Sequence, residues 1–140
     1  MTIEVMSQAE ALALAAQAKE RTAIVSITST GDDALTFPEN PNIEGILRLS
    51  FNDLVSEYDE EGFPYGRPLP KQADLVGLKD FVDGLSCQRL IVHCWEGSSR
   101  SAAVAAAIHA YRGGQDSLLK GRRFAPNPLV YDLARRELGL

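Results

Sequence analysis

The alternation of hydrophobic and polar positions along the chain predicts strands separated by helices. Apolar, β-branched runs at residues 23–27, 43–51 and 89–94 predict buried strands, and residues 2–6 form a short further candidate. Parallel strands need crossover connections, usually helices, to join them. We therefore expect an α/β fold, a three-layer α/β/α arrangement around a mainly parallel sheet of about four or five strands.

Four segments carry apolar residues at helical spacing or helix-capping residues. Ser7 is placed to cap the first helix, and Asn127 followed by Pro128 is typical of the start of the last one. Gly113 and Gly114 end an alanine-rich segment, as glycine commonly does after a helix. The helices are predicted at residues 7–20, 71–84, 101–112 and 127–138.

Two long connections contain most of the prolines. Residues 28–42 and 52–70 are rich in proline and glycine, which favour turns over regular structure. Loops of this length often bind ligands or act as lids. We expect these loops, together with the connection at residues 114–125, to set the depth of any binding pocket.

Composition narrows the class of protein. The chain has 140 residues, of which 45% are hydrophobic and 24% charged, as expected for one globular domain spanning residues 1–140. Its net charge of −5 does not favour a nucleic acid or an anionic membrane as partner. The apolar stretch at residues 11–16 is too short for a secretory core or a membrane span. We expect a cytoplasmic protein whose two cysteines are reduced.

The segment HCWEGSSRS, from His93 to Ser101, lies where a predicted strand ends and a helix begins. The positive end of a helix dipole stabilises a thiolate there, so Cys94 is a candidate nucleophile. Between Cys94 and Arg100 lie five residues whose backbone amides can surround one tetrahedral anion, and Arg100 can hold two of its oxygens. These phosphate-binding candidates are Trp95, Glu96, Gly97, Ser98 and Ser99.

The neighbours of this segment have expected supporting roles. Ser101 can donate its hydroxyl to the sulfur, and His93 is expected to orient the loop through hydrogen bonds. Trp95 and Glu96 are expected at the outer rim of the site. Cys87 is expected in the core, with the alternative that it protects Cys94 by forming a reversible disulfide.

The nine residues from His93 to Ser101 resemble the His-Cys-five residues-Arg-Ser signature of protein tyrosine phosphatases. The ending from Glu96 to Ser101 resembles the dual-specificity branch in particular. The resemblance is specific over residues 89–104, weaker over residues 46–54 and the last helix, and absent elsewhere. It implies a hydrolase that forms a phosphocysteine at Cys94 and needs neither cofactor nor metal.

A phosphatase of this kind needs a proton donor for the leaving oxygen. Asp53 directly follows a predicted strand, and the carboxyl ends of parallel strands meet at the edge where Cys94 lies. The string LRLSFNDL also resembles the acid-bearing loop of dual-specificity phosphatases, with Asp53 at the matching place. Asp59, Glu60 and Glu61 are alternatives on the same loop, whereas Asp74 is expected to cap a helix.

The expected function is hydrolysis of phosphate monoesters, with phosphotyrosine or another phosphorylated protein residue as substrate. The alternatives are a phosphatase of small phosphate esters or phosphoinositides, and a phosphate-binding module without turnover. Sulfur-transfer and arsenate-reducing proteins also use a cysteine in an anion-binding loop, but they explain Asp53 and His93 less well. We expect no metal site, because no His, Cys and Asp cluster has metal-ligand spacing.

Overall fold

A computed structural model of the protein describes residues 1–113 and 124–140. Strands and helices alternate along most of this length, as the hydrophobic pattern predicts. The elements are β1 (Thr2–Ser7), α1 (Gln8–Gln17), β2 (Thr22–Thr28), β3 (Ile43–Ser50), a 3-10 helix (Gln72–Leu75), α2 (Leu78–Asp83), β4 (Arg89–Cys94), α3 (Arg100–Tyr111) and α4 (Pro128–Glu137).

The strands form one four-stranded sheet in the order β1-β4-β2-β3, and all neighbouring strands are parallel. Ser7 lies opposite Cys94 in the register of β1 and β4, and Thr28 lies opposite Ser50 in that of β2 and β3. The carboxyl ends of all four strands therefore meet at one edge. This is the edge where an open α/β sheet offers a ligand crevice.

Helices cover both faces of the sheet, which confirms the three-layer α/β/α prediction. On one face Ala11 and Ala15 of α1 pack against Ile24 and Ile91. On the other face α2, α3 and α4 close over a larger apolar core. The small side chains of α3 suit this position, since residues 102–108 are all fully or almost fully buried.

The predicted helix at residues 71–84 is wrong, because it is broken into the 3-10 helix and α2. Gly77 has a φ of +95°, a left-handed conformation that a helix interior does not allow. A Cβ at this position would make only an ordinary contact, 3.6 Å from Leu47 Cδ1, so the backbone conformation rather than crowding favours glycine here. Leu75 of the 3-10 helix and Leu78 of α2 are both buried in the same core, which explains why their spacing resembles that of one helix.

The first helix also ends earlier than predicted, at Gln17 rather than near residue 20. Two asparagines of the connection between β2 and β3 bind carbonyl groups at the end of this helix. The Asn40 side-chain amide donates to the carbonyls of Ala15 and Ala18 at 2.9 and 3.0 Å, and Asn42 also donates to Ala18. These bonds replace the helical partners that another turn would supply.

Across residues 1–113 and 124–140, no helix is long and apolar enough to cross a membrane. Of the three loops expected to set pocket depth, those at residues 28–42 and 52–70 are described. Most of the third, residues 114–123, lies outside the described part of the chain.

Candidate active site

The loop that joins β4 to α3, residues 94–100, is folded tightly against the start of the chain. We call it the phosphate loop. Gly97 has a φ of +76°, and a Cβ at this position would lie 2.5 Å from backbone atoms of Met6 and Ser7. The amide of Gln8 donates to the Trp95 carbonyl at 3.2 Å. Gly97 is thus required both by its conformation and by the close approach of β1.

Cys94 is buried at the bottom of this loop, with only 2% of its surface exposed. Its Sγ lies 3.1 Å from the Ser101 hydroxyl, and the Gly97 amide donates to the sulfur at 3.3 Å. Burial raises the pKa of the thiol, but the hydrogen bonds from Ser101 and Gly97 and the charge of Arg100 outweigh it. The net result is a pKa lowered from the ordinary 9.0, which favours the thiolate.

The Arg100 guanidinium donates hydrogen bonds from one nitrogen, whereas another nitrogen has no hydrogen-bond partner among the described residues. Its Nη1 donates to the Ser29 hydroxyl at 3.0 Å and to the Phe51 carbonyl at 2.9 Å. Its Nε is buried and has no hydrogen-bond partner in the described part of the chain. Arg100 is only 6% exposed, so this unsatisfied donor makes a strong demand for an acceptor.

Cys94 and Arg100 open into a polar cavity of about 240 Å³. Side chains from the ends of β2 and β3, from the phosphate loop and from the connection after β3 line it. The lining residues are Ser29, Asp53, Leu54, Arg67, Cys94, Trp95, Glu96, Ser98, Ser99 and Arg100. Eight of these ten lie within three residues of a strand end or on the phosphate loop, as the parallel topology dictates.

Asp53 stands at the side of this cavity in a fixed orientation. Its Oδ1 accepts hydrogen bonds from the Ser99 hydroxyl at 2.8 Å and from the Asn127 amide at 2.9 Å. Asn127 also caps α4 by accepting from the Val130 amide at 3.1 Å. One asparagine therefore links the start of a helix to the carboxylate expected to act as the acid.

The alternative acids lie elsewhere. Asp59 Oδ1 accepts from the amides of Glu61 and Phe63, both at 2.9 Å, and so closes the turn of a small hairpin. None of residues 59–61 lines the cavity described above. Asp74 accepts from the Lys71 amide at 2.8 Å at the start of the 3-10 helix, which confirms its expected capping role.

His93 is fully buried and faces the α1 side of the sheet, away from the cavity. Its Nε2 lies 2.6 Å from the Ser26 hydroxyl and its Nδ1 lies 3.3 Å from the Cys94 carbonyl, while Phe37 packs edge-on against the ring. Burial and the charge of Arg100 lower the pKa of His93, and the bond to the Cys94 carbonyl only partly opposes them. A neutral ring donates from Nδ1 and accepts from Ser26.

The remaining residues of the loop form its outer wall. Trp95 is 67% exposed and Glu96 is also exposed at the mouth of the cavity. Ser98 lines the cavity, and its carbonyl accepts from the Ala125 amide at 2.8 Å. Ser99 uses its hydroxyl on Asp53. Among the predicted phosphate-binding residues, only Gly97 stays out of the lining, because it faces β1 and the sulfur.

Comparisons with known proteins address the fold. Neither the protein-family models nor the curated proteins contain a match to this sequence. Among solved structures, the crystal structure of the dual-specificity-like phosphatase PTPMT1 in complex with PI(5)P is similar. The TM-score is 0.55 at 18% identity, and the match covers 99% of this chain and 90% of that one. The chain has the fold of the protein tyrosine phosphatases.

Within this fold, the sequence did not identify Ser29 or Arg67, which line the cavity, or Asn127, which holds Asp53. Ser29 just follows a strand that ends at the same edge as Cys94, so the topology contained a signal for it. Asn127 was recognised only as a helix cap, and nothing in the sequence pairs it with Asp53. Arg67 lies among prolines and glycines, where no pattern marks its direction.

Cys87 is part of the core of this fold, as expected. It is buried beside Met1, with the two sulfur atoms 3.9 Å apart. It precedes β4 whereas Cys94 ends it, so the rise of about 3.3 Å per residue separates them by roughly 20 Å. A disulfide bridges Cα atoms no more than about 7 Å apart. The alternative that Cys87 protects Cys94 within one chain is therefore wrong.

The residues that could hold a metal ion are His, Cys, Asp and Glu in clusters of three or more. No such cluster occurs among residues 1–113 and 124–140. In the cavity, the buried Nε of Arg100 lacks an acceptor, a feature that suits an anionic ligand better than a cation.

Proposed function

We propose that the chain is a cysteine phosphatase that hydrolyses phosphate monoesters through a phosphocysteine on Cys94. One observation carries the proposal: a thiol with a lowered pKa shares a cavity with a guanidinium whose buried Nε lacks an acceptor. A bound phosphate supplies that acceptor and places its phosphorus next to the sulfur. Asp53 lines the same cavity and supplies a carboxyl group for proton transfer.

In the first step the Cys94 thiolate attacks phosphorus from the side opposite the leaving oxygen. The sulfur–phosphorus bond forms as the phosphorus–oxygen bond breaks. Asp53, protonated, gives its proton to the leaving oxygen, which departs as an alcohol or phenol. The hydrogen bonds from Ser99 and Asn127 hold one oxygen of Asp53 and leave the other available for this transfer.

In the second step water attacks the phosphocysteine. Asp53, now ionised, takes a proton from the water, and the electron pair of the sulfur–phosphorus bond returns to Cys94. The Ser101 hydroxyl, 3.1 Å from the sulfur, stabilises the returning thiolate. Inorganic phosphate leaves and the enzyme is restored.

The phosphate loop and Arg100 act in both steps by holding the equatorial oxygens. Ser29 and the Phe51 carbonyl fix the guanidinium, so little reorganisation is needed as charge develops. His93 is a positioning residue. Its bonds to Ser26 and to the Cys94 carbonyl set the end of β4, and it has no access to the reacting atoms.

Two substrate classes fit this chemistry. Phosphotyrosine or another phosphorylated protein residue is the first, from the resemblance of the signature. Small phosphate esters, including phosphoinositides, are the second, and the complex of PTPMT1 with PI(5)P favours them. The cavity of about 240 Å³ is open at Trp95, which suits esters whose phosphate enters while the rest stays outside.

Cys94→Ser tests the proposal, with Cys87→Ala as the matched cysteine control. Turnover of phenyl phosphate should fall by about 10⁴ or more in Cys94→Ser, because a serine hydroxyl is far less ionised than the thiol. Vanadate binding should persist in that variant, and a chelator should not affect the wild-type rate. Turnover near the wild-type level in Cys94→Ser would refute the proposal. Vanadate binding without wild-type turnover would identify a phosphate-binding module instead.

A further inference from the structure

The proposed catalytic cavity contains a second guanidinium group, which the mechanism above does not use. Arg67, from the connection after β3, lines the cavity together with Cys94 and Arg100. It is exposed, unlike Arg100. Its position is therefore suited to the part of a substrate that lies outside the phosphate loop.

Arg67 forms no hydrogen bond and no ion pair anywhere in residues 1–113 and 124–140. The two carboxylates of the cavity leave it unpaired. Asp53 is occupied by Ser99 and Asn127, and Glu96 makes no ion pair with Arg67. The guanidinium has its full set of donors available to an incoming oxyanion.

A second cavity, of about 260 Å³, adjoins the first and shares Arg67 with it. Its walls are mixed in character, with Tyr58, Pro68 and Leu69 beside the charged side chains of Glu57 and Arg67. Arg67 thus lies where a substrate would leave the first cavity and enter this second one. Beyond it the hairpin is acidic, with Glu57 on the second cavity and residues 59–61 at the tip, so a second anion is favoured at Arg67 but not further out.

We propose that Arg67 is a specificity residue that binds a second oxyanion of the substrate, next to the ester phosphate. The favoured substrates are compact phosphate monoesters that carry a carboxylate or another phosphate. Arginine suits this task because its planar fork binds either oxyanion through two parallel hydrogen bonds. The inference rests on the proposed function, since it takes the ester phosphate to lie between Cys94 and Arg100.

The test compares Arg67→Gln with wild type on phenyl phosphate, 3-carboxyphenyl phosphate and benzene-1,3-diyl bisphosphate. In Arg67→Gln, kcat/KM for each of the two esters with a second anion should fall by about tenfold or more. The change should be mainly in KM, as expected for lost charge-assisted hydrogen bonds. The loss on phenyl phosphate should be at least about fivefold smaller. Loss on only one of the two esters with a second anionic group would show whether carboxylate or phosphate is the group recognised.

Arg136→Gln is the control, because it removes the same charge from an exposed position of α4 that does not line the cavity. It should affect the three esters equally. Arg67→Lys should restore only part of the preference, since lysine lacks the fork. Equal losses on all three esters in Arg67→Gln would overturn the inference.

Binding to Cys94→Ser separates this inference from the proposed function. Calorimetry should show that benzene-1,3-diyl bisphosphate binds at least about fivefold more tightly than phenyl phosphate, and that adding Arg67→Gln removes the difference. That result without any wild-type turnover would retain the second anion site and refute the phosphatase. Turnover of phenyl phosphate with no difference in binding would retain the phosphatase and refute the site.

Discussion

The phosphate loop and the connection after β3, residues 52–70, border the same cavity but are built in opposite ways. The first and last residues of the phosphate loop, Cys94 and Arg100, are buried, and Gly97 lies against the backbone of β1. The long loop at residues 52–70 is mostly exposed and contains several uncovered large apolar side chains. These are Val55, Tyr58, Phe63 and Tyr65.

This difference separates two tasks. A loop whose shape depends on backbone contacts presents the same donors to any tetrahedral anion, so it determines the reaction rather than the substrate. A loop that contributes exposed side chains can select what is attached to that anion. Asp53 belongs to the first task although it begins the long loop, because Ser99 and Asn127 tie it to the phosphate loop and α4.

The largest difference in hydrolysis rate between two variants of the long loop is expected between Asp53→Asn and Asp59→Asn. Asp53→Asn should slow phenyl phosphate by about 10² to 10⁴, the usual contribution of a general acid. It should slow an activated ester such as 4-nitrophenyl phosphate much less, because that leaving group needs no proton. Asp59→Asn should change neither rate by more than about twofold, since Asp59 only closes the hairpin turn.

Steady-state rates on both esters measure this discrimination. If Asp59→Asn shows the leaving-group dependence and Asp53→Asn does not, the acid lies on the hairpin and the assigned geometry of proton transfer is wrong. If neither variant shows it, the reaction does not use a carboxylic acid in this way.

A second comparison concerns the two guanidinium groups of the cavity. Arg100→Lys keeps the charge but loses both the anchored fork and the buried Nε donor, so kcat/KM should fall by about 10². The same factor should appear on phenyl phosphate and on the two esters with a second anionic group, because every substrate uses Arg100. A loss of kcat/KM below about threefold, or one that depends on the second anion, would show that Arg100 does not bind the ester phosphate in the way proposed.

Two glycines sharpen the comparison at the level of stability. Gly97 and Gly62 both have positive φ, +76° and +87°, but a Cβ at Gly97 meets backbone at 2.5 Å and one at Gly62 meets nothing within 4 Å. Gly62→Ala should lower the free energy of unfolding by only about 1 to 2 kcal/mol from backbone strain. Gly97→Ala should cost clearly more, about 3 kcal/mol or above, and should abolish vanadate binding.

Urea unfolding and vanadate titration measure both effects. Equal losses of unfolding free energy in Gly97→Ala and Gly62→Ala would mean that the phosphate loop accommodates a side chain as easily as the hairpin does. The difference in rigidity between the two loops would then be lost as an explanation of their separate tasks.

The sequence was sufficient for those features that local chemistry determines. Strand and helix order follows from the apolar pattern, and the segment from His93 to Ser101 predicts the tight turn between β4 and α3, in which Gly97 takes a positive φ. The break at Gly77 could not be predicted, because a glycine inside a helical pattern does not reveal that its φ is positive. The contact between Asn127 and Asp53 joins residues 74 positions apart, and no local pattern encodes such a pairing.

Acidic pH provides the finest comparison, because His93 is buried at the end of β4 next to the phosphate loop, whereas the hairpin at residues 58–64 contains no histidine. The pKa of His93 is lowered from the ordinary 6.5, mainly by burial. Below pH 6.5 the unfolded chain therefore binds a proton that the folded chain does not, so stability falls as the pH drops from there toward the folded pKa. The slope is at most about 1.4 kcal/mol per pH unit for one group.

Urea unfolding at pH 7.5 and 5.5 measures this loss. His93→Asn should be less stable at both values, because it gives up the bond to Ser26, but the difference between the two pH values should be smaller than in wild type by up to about 1 kcal/mol. The carboxylates contribute equally to the pH dependence of stability in wild type and in His93→Asn, so their effect cancels in the comparison. Asp59→Asn serves as the hairpin control and should retain the wild-type loss, because it leaves His93 in place. An unchanged pH dependence in His93→Asn would show that this ring is protonated as readily in the folded chain as in the unfolded one.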